Sequence, residues 1–285
     1  MQAFQFYPGT RPLLISIPHA GTALTPEVKA GLSAPAQALP DTDWHVPDLY
    51  QFARDMGAHL LVANYSRFVI DLNRPADDQP LYTTATTGLF PQTLFDGTPV
   101  FNPEQALTAT QQQSYLDHIW QPYHQKIQQT LQAIQQQFGY ALLFDAHSIA
   151  SQVPRLFKGT LPDLNIGTNQ GQSCDRTIQQ AIEDCCAAQD RYSWVMNGRF
   201  TGGYITRAYG QPARHWHAVQ LELAQCNYME ETAPFVWRED KASQLMPVLE
   251  QIIRTFITTG ENSRAGSHFV NRYDLIGFLS IELPI

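Results

Sequence analysis

The residues with the clearest chemical character sit where apolar, strand-like runs give out. Tyr140-Ala141-Leu142-Leu143-Phe144 has the length of a buried strand, and Asp145, His147 and Ser148 follow it at once: a carboxylate, an imidazole and a hydroxyl. Leu13 to Ile17 runs into Pro18-His19-Ala20-Gly21, where proline and glycine flank a histidine and predict a tight turn exposing its ring. Two more runs have this grammar: Arg67 to Arg74, ending in Asn73-Arg74, and Ala218 to Leu223, carrying Glu222 between leucines. In open α/β sheets, ligands bind beyond the carboxyl ends of strands. Four such ends meeting around one ion would form a hydrolytic metal centre.

Catalytic zinc takes about three N or O ligands from the protein and keeps a position open for water. His19 and His147 offer two imidazoles from separate strands. The third donor is expected from the acidic cluster Asp41, Asp43, His45 and Asp48, with Asp43 ahead of Glu27. Asp145 is too close to His147 for an easy ligand pair and is expected to hold that imidazole from behind. Glu222 stands in a run that reads as buried, so it needs a cation, a bound water or a raised pKa. It is read as the general base that takes a proton from water and returns it to the leaving amine; a salt bridge to an arginine would explain an isolated glutamate as well. Asn73-Arg74 is a carboxylate clamp, because guanidinium is a planar fork and the amide adds a donor; the plainer account is an ion pair from Arg74 to Asp71 or Asp77. Gly202-Gly203, flanked by Arg199 and Arg207, allows close approach of an anion, although an ordinary glycine loop fits too. His118 and His124 are read as surface or packing residues rather than ligands, although His124, after Tyr123, is within reach of the site.

The elements that must position these groups alternate between strand and helix. Asp41 or Thr42 is expected to cap a helix running through Leu49, Phe52, Ala53 and Met56. Leu60 to Ala63 reads as a strand, and in Arg67 to Arg74 the alternation of Ile70 and Leu72 with Asp71 and Asn73 suggests another. Residues 75–103, rich in Thr, Gly, Pro and Asp, read as a lid or substrate wall. An apolar stripe through Tyr115, Ile119, Ile127, Leu131 and Ile134 predicts a helix over 108–138 that Pro122 kinks. Strands are expected at 164–168 and 193–197, and helices at 178–188 and 242–256, where Pro247 is tolerable only near the first turn. Residues 262–285 have no assignment. With no repeat and no linker between two cores, 1–285 reads as a single α/β domain. It would have three layers, a mixed, mostly parallel sheet with helices on both faces.

Bulk properties exclude several classes. The net charge of the 285 residues is -8, with 18 Lys and Arg against 26 Asp and Glu, so a general nucleic-acid or acidic-membrane binder is not expected. The four cysteines form neither a disulfide framework nor a zinc motif and read as reduced thiols. No leader pattern and no span-length apolar run is present. A soluble, cytoplasmic protein with a small-molecule partner is expected, its oligomeric state open. Other classes consistent with the residues are a two-carboxylate glycoside hydrolase pairing Glu222 with Asp71 or Asp145, and a non-catalytic binder of small anions.

As a set, Ser-Ile-Pro-His19-Ala-Gly, Asp41-Thr-Asp43-Trp44-His45-Val, Arg67-Phe-Val-Ile-Asp-Leu-Asn73-Arg74, Asp145-Ala-His147-Ser-Ile and Gln220-Leu-Glu222-Leu resemble the N-formylglutamate amidohydrolases over about residues 10 to 260. That family is similar in turn to the zinc carboxypeptidases and aspartoacylases. The resemblance implies a zinc-carboxypeptidase-like fold and hydrolysis of N-formyl-L-glutamate to formate and L-glutamate, a step of histidine degradation. It implies Zn(2+), or another divalent metal, on His19, Asp43 and His147, Glu222 as base, and Arg67 steadying the oxyanion. Asn73 and Arg74 would hold one substrate carboxylate, and Arg207 or Arg199 the other. Thr22 departs from the relatives' His-x-x-Glu element, so the third ligand rests on the acidic cluster and the family's Asp-Trp motif. Another N-acyl amino acid or a peptide is the alternative substrate.

Overall fold

The structure is a computed structural model that describes residues 2–81 and 86–273, with side chains to residue 263. Seven strands form one mixed sheet: β1 (Phe4–Tyr7), β2 (Leu13–Ile17), β3 (His59–Ala63), β4 (Ala141–Ile149), β5 (Leu164–Gly167), β6 (Trp194–Met196) and β7 (Trp216–Ala224). Their order is β1-β3-β2-β4-β7-β5-β6. β3, β2, β4 and β7 run parallel, while β1 is antiparallel to β3 and β5 to β7. β4 and β7 pair along nine residues, both buried throughout, as expected of strands covered on both faces.

Alternation along these strands divides the core into two layers. Ile15, Ile17, Phe144, Ala146, Val219 and Leu221 point to one side and pack with α6 (Arg176–Ala187) and α8 (Glu239–Tyr273). Leu14, Leu143 and Ala218 point to the other and pack with α1 (Pro26–Gly31) and α5 (Gln121–Phe138). On that second side the pattern turns polar toward the strand ends. By parity Ser16, Asp145, His147, Gln220 and Glu222 all belong to the α5 face. Ser16 Oγ meets Tyr123 Oη of α5 at 3.0 Å there.

Several expectations are corrected. Arg67 to Arg74 forms turns, not a strand, because Asp71 bends the chain around its own carboxylate: Asn73 N donates to Asp71 Oδ1 at 2.9 Å and Arg74 N to Asp71 O at 3.3 Å. The helix expected from Asp41 or Thr42 is two short ones, α2 (Val46–Leu49) and α3 (Phe52–Asp55), since His45 holds φ 61° and Pro47 opens the first. β4 continues through Ile149, so Asp145 and His147 lie within it, not beyond it. The 108–138 helix is present as α4 (Ala109–Tyr115) and α5, joined through a π-helical turn at Leu116–Trp120 just before Pro122. Thr108 and Gln111 close a capping box at its start, and Gly139, φ 84°, ends it. Pro247 lies inside α8, past its first turn, where Leu245, Leu249, Ile252 and Phe256 are buried. α8 also takes in 262–273 of the unassigned tail, and the rest of that tail, like residues 82–85 of the expected lid, lies outside the described residues. β1 and the short α7 (Tyr204–Tyr209) after the glycine pair had no counterpart in the sequence reading.

Candidate metal and active site

His19, Asp43 and His147 converge at the carboxyl ends of β2 and β4. Each can present one ligand atom such that all three atoms lie within 4.8 Å of one another, and all three residues are buried. His19 is therefore not exposed, as the proline-glycine turn had suggested. Asp43 is carried past the sheet by an irregular segment that is tied to His19 through Asp43 N donating to His19 O at 3.1 Å. Its Oδ2 accepts from Ser148 N at 3.2 Å, stands 3.1 Å from His147 Nδ1 and 3.8 Å from His19 Nδ1.

The far nitrogen of each ring faces a carboxylate. His19 Nε2 bonds Asp71 Oδ1 at 2.7 Å, and His147 Nε2 stands 3.1 Å from Asp145 Oδ2. With Nε2–H donated to its carboxylate, each ring would turn the lone pair of Nδ1 toward the cluster, the arrangement that supports metal-ligating histidines. Asp145 thus stands where the sequence reading put it. Asp71 does the same for His19 and was missed, although a carboxylate between Ile70 and Leu72 carries the signal that drew attention to Glu222. Asp71 also pairs with Arg67 at 2.7 Å, in place of the ion pair to Arg74 weighed from sequence. Burial opposes its charge, yet His19 and Arg67 hold its carboxyl well below the usual range. Burial, then Arg67, lowers the His19 pKa; burial also opposes charge on His147, but Asp145 and Asp43 raise it well above the ordinary value. The donor chemistry and burial of the trio fit a divalent cation.

Glu222 is opposite His147 in the β4–β7 register. It is buried, and burial pushes its pKa up to about 8, against the pull of His147. Arg67 NH1 reaches Asp41 O at 3.3 Å and comes within 4.0 Å of Asp43 Oδ1, with the guanidinium over the Phe95 ring. Asn73 is engaged at both ends of its amide. Its Nδ2 donates to Asp145 Oδ2 at 3.3 Å and lies 3.0 Å from His147 Nε2, while its Oδ1 accepts from Ile205 N at the start of α7. Arg74 donates to Thr87 O and to the Thr86 and Thr87 hydroxyls. It lines a small cavity of about 60 Å³ beside the site with Arg199, Thr87 and Gln220. Arg207 instead braces the glycine loop, donating to Gly202 O at 2.8 Å and Leu81 O at 3.2 Å. Glu27 is exposed on α1 and outside the trio, so Asp43 is the carboxylate brought to the histidines.

Comparison with known proteins gives the family. The sequence pattern of the N-formylglutamate amidohydrolases matches residues 11–229, more than half of the chain. The chain belongs to that family. A protein of Pseudomonas aeruginosa named N-formylglutamate deformylase is 54% identical over 264 residues, covering 93% of this chain and 99% of that one. Its namesake in Pseudomonas putida is 54% identical over 259 residues, 91% of this chain and 97% of that one. The crystal structure of an N-formylglutamate amidohydrolase from Ralstonia eutropha JMP134 has the same fold, with TM-score 0.77 at 22% identity, covering 93% of this chain and all of that one.

Proposed function

We propose that this chain hydrolyses N-formyl-L-glutamate to formate and L-glutamate, with a zinc ion on His19, Asp43 and His147. The observation that carries the reading is the buried trio of ligand atoms beside a carboxylate on the neighbouring strand, in a chain so similar to two named deformylases. A bound zinc ion would polarise the formyl carbonyl and make water more acidic. Glu222 takes a proton from the attacking water and delivers it to the amine as the C–N bond breaks. Arg67, held by Asp71 and Asp41 O, turns its positive charge to the oxygen on which negative charge develops. Arg74 receives one substrate carboxylate and Arg199 the other, while Asn73 keeps Asp145 and the start of α7 in place. Arg207 holds the loop that carries this pocket. From the 75–103 segment, Thr86, Thr87 and Phe95 wall the substrate. Residues 1–285 act as one domain, in a cytoplasm whose reducing conditions suit the four free cysteines, within histidine catabolism.

Formate release from N-formyl-L-glutamate, compared with N-formyl-L-methionine and with acetate release from N-acetyl-L-glutamate, tests the reading. The expected order puts N-formyl-L-glutamate first by at least tenfold in kcat/KM. A faster reaction with the acetyl compound would move the assignment to a different N-acyl amino acid hydrolase.

A further inference from the structure

The small cavity holds one group that the catalytic residues leave without a task. Gln220 lies on β7 two positions before Glu222, hence on the same face of the sheet, and lines the cavity with Arg74 and Arg199. It is 3% exposed. A backbone N–H can only donate, so the 2.7 Å bond from Gly203 N assigns the Oε1 end of the amide to that side. The Nε2 end is turned away from Gly203, and among the described residues it has no acceptor. The position next to it takes glycine, since a Cβ at Gly203 would fall 2.3 Å from Asn73 Nδ2. Gly203 N–H therefore holds one end of an amide that lines the same cavity as the Arg74 and Arg199 side chains.

We propose that Gln220 is a specificity residue: its Nε2 donates to the side-chain carboxylate of the substrate and, with Arg199, selects an acidic side chain. This rests on the amidohydrolase reading above, in which Arg74 takes the other carboxylate. A donor whose amide is already held by the backbone loses little freedom on binding, and it gives up water for no partner when the ligand has no acceptor there.

The test is Gln220→Glu, with Gln220→Met beside it. In Gln220→Glu one oxygen still accepts from Gly203 N–H, while the other turns a negative charge on the substrate. The kcat/KM for N-formyl-L-glutamate should fall about a hundredfold and that for N-formyl-L-glutamine by less than tenfold, so the ratio of the two collapses. Gln220→Met, which removes the donor without adding charge, should fall between. A substrate ratio unchanged from wild type in both variants overturns the proposal. Titration calorimetry with L-glutamate and L-glutamine separates this from the hydrolase reading. Should wild type release no formate yet bind L-glutamate preferentially, and lose that preference in Gln220→Glu, the hydrolase reading fails and Gln220 keeps its role. Equal preference in wild type and both variants removes Gln220 whatever the turnover.

Discussion

Glu222 and Asp71, like Asp145, are carboxylates that apolar neighbours enclose in the sequence, and all three are buried where charge is costly without a partner. The difference is what surrounds them. Asp71 is saturated by His19 and Arg67, whereas Glu222 keeps a raised pKa beside His147. Glu222→Gln should keep the fold and its metal, measured by circular dichroism and metal analysis, and lower kcat by about 10² to 10⁴, the usual reach of acid-base catalysis. Wild-type turnover would remove Glu222 from proton transfer. At this scale the sequence was informative wherever a polar group interrupted a run destined for the core: His19, His147 and Glu222 were found that way. Asp43 stood out only as one member of an acidic cluster, supported by the family's Asp-Trp motif, since its approach depends on a loop path that no periodicity encodes. Gln220 was passed over because a neutral amide in a strand raises no electrostatic alarm.

The segment Arg67 to Arg74 was misread because alternation was scored without its side chains' own appetite for backbone bonds. Asp71 captures Asn73 N, and the carbonyls left over are gathered by a neighbouring helix. His124 Nε2 bonds Leu72 O and Trp120 Nε1 donates to Arg74 O, each at 2.9 Å. Residues four apart on a helix share a face, so this pair can grip carbonyls two residues apart on an irregular strand of chain. Reading His124 as a packing residue was sound as far as it went. Burial pushes its pKa down to about 3, so the ring stays neutral in the folded state. The unfolded chain takes up the proton near the ordinary value of 6.5, so it binds more protons than the native state between those limits. Stability therefore falls as pH drops below about 6.5, by about 1.4 kcal/mol per pH unit from this residue. Urea unfolding at pH 6.5 and 5.0 should show wild type losing about 2 kcal/mol more than His124→Gln. Parallel losses in the two proteins would show that another group titrates. The long helices were legible from their stripes, but the π-helical turn and the position of Pro247 were not. Both are tolerated through packing that becomes visible only when the sheet is present.

For the whole molecule, the layered fold was readable from strand-helix alternation and uninterrupted apolar runs, while the edge strand β1 and the reversal of β5 were not. Short, half-buried strands carry little pattern, and direction depends on connections that sequence leaves free. The site draws its metal donors from three remote segments, so an ion bound there would join them. Removing it with a chelator should abolish formate release and lower Tm. At a thousandfold excess of metal over Kd the loss is about 4 kcal/mol, on the order of 10 °C for a chain this size. An unchanged Tm and rate after verified removal would rule out a resident ion. No helix among the described residues is long and apolar enough to cross a membrane. The pairing of β4 with β7 also bears on synthesis, because the two central strands lie some seventy residues apart along the chain. While the ribosome is still making that stretch, β4 has emerged with one full edge unoccupied, an invitation to foreign strands. Once β7 is in place it seals that edge, and the same strand delivers Glu222.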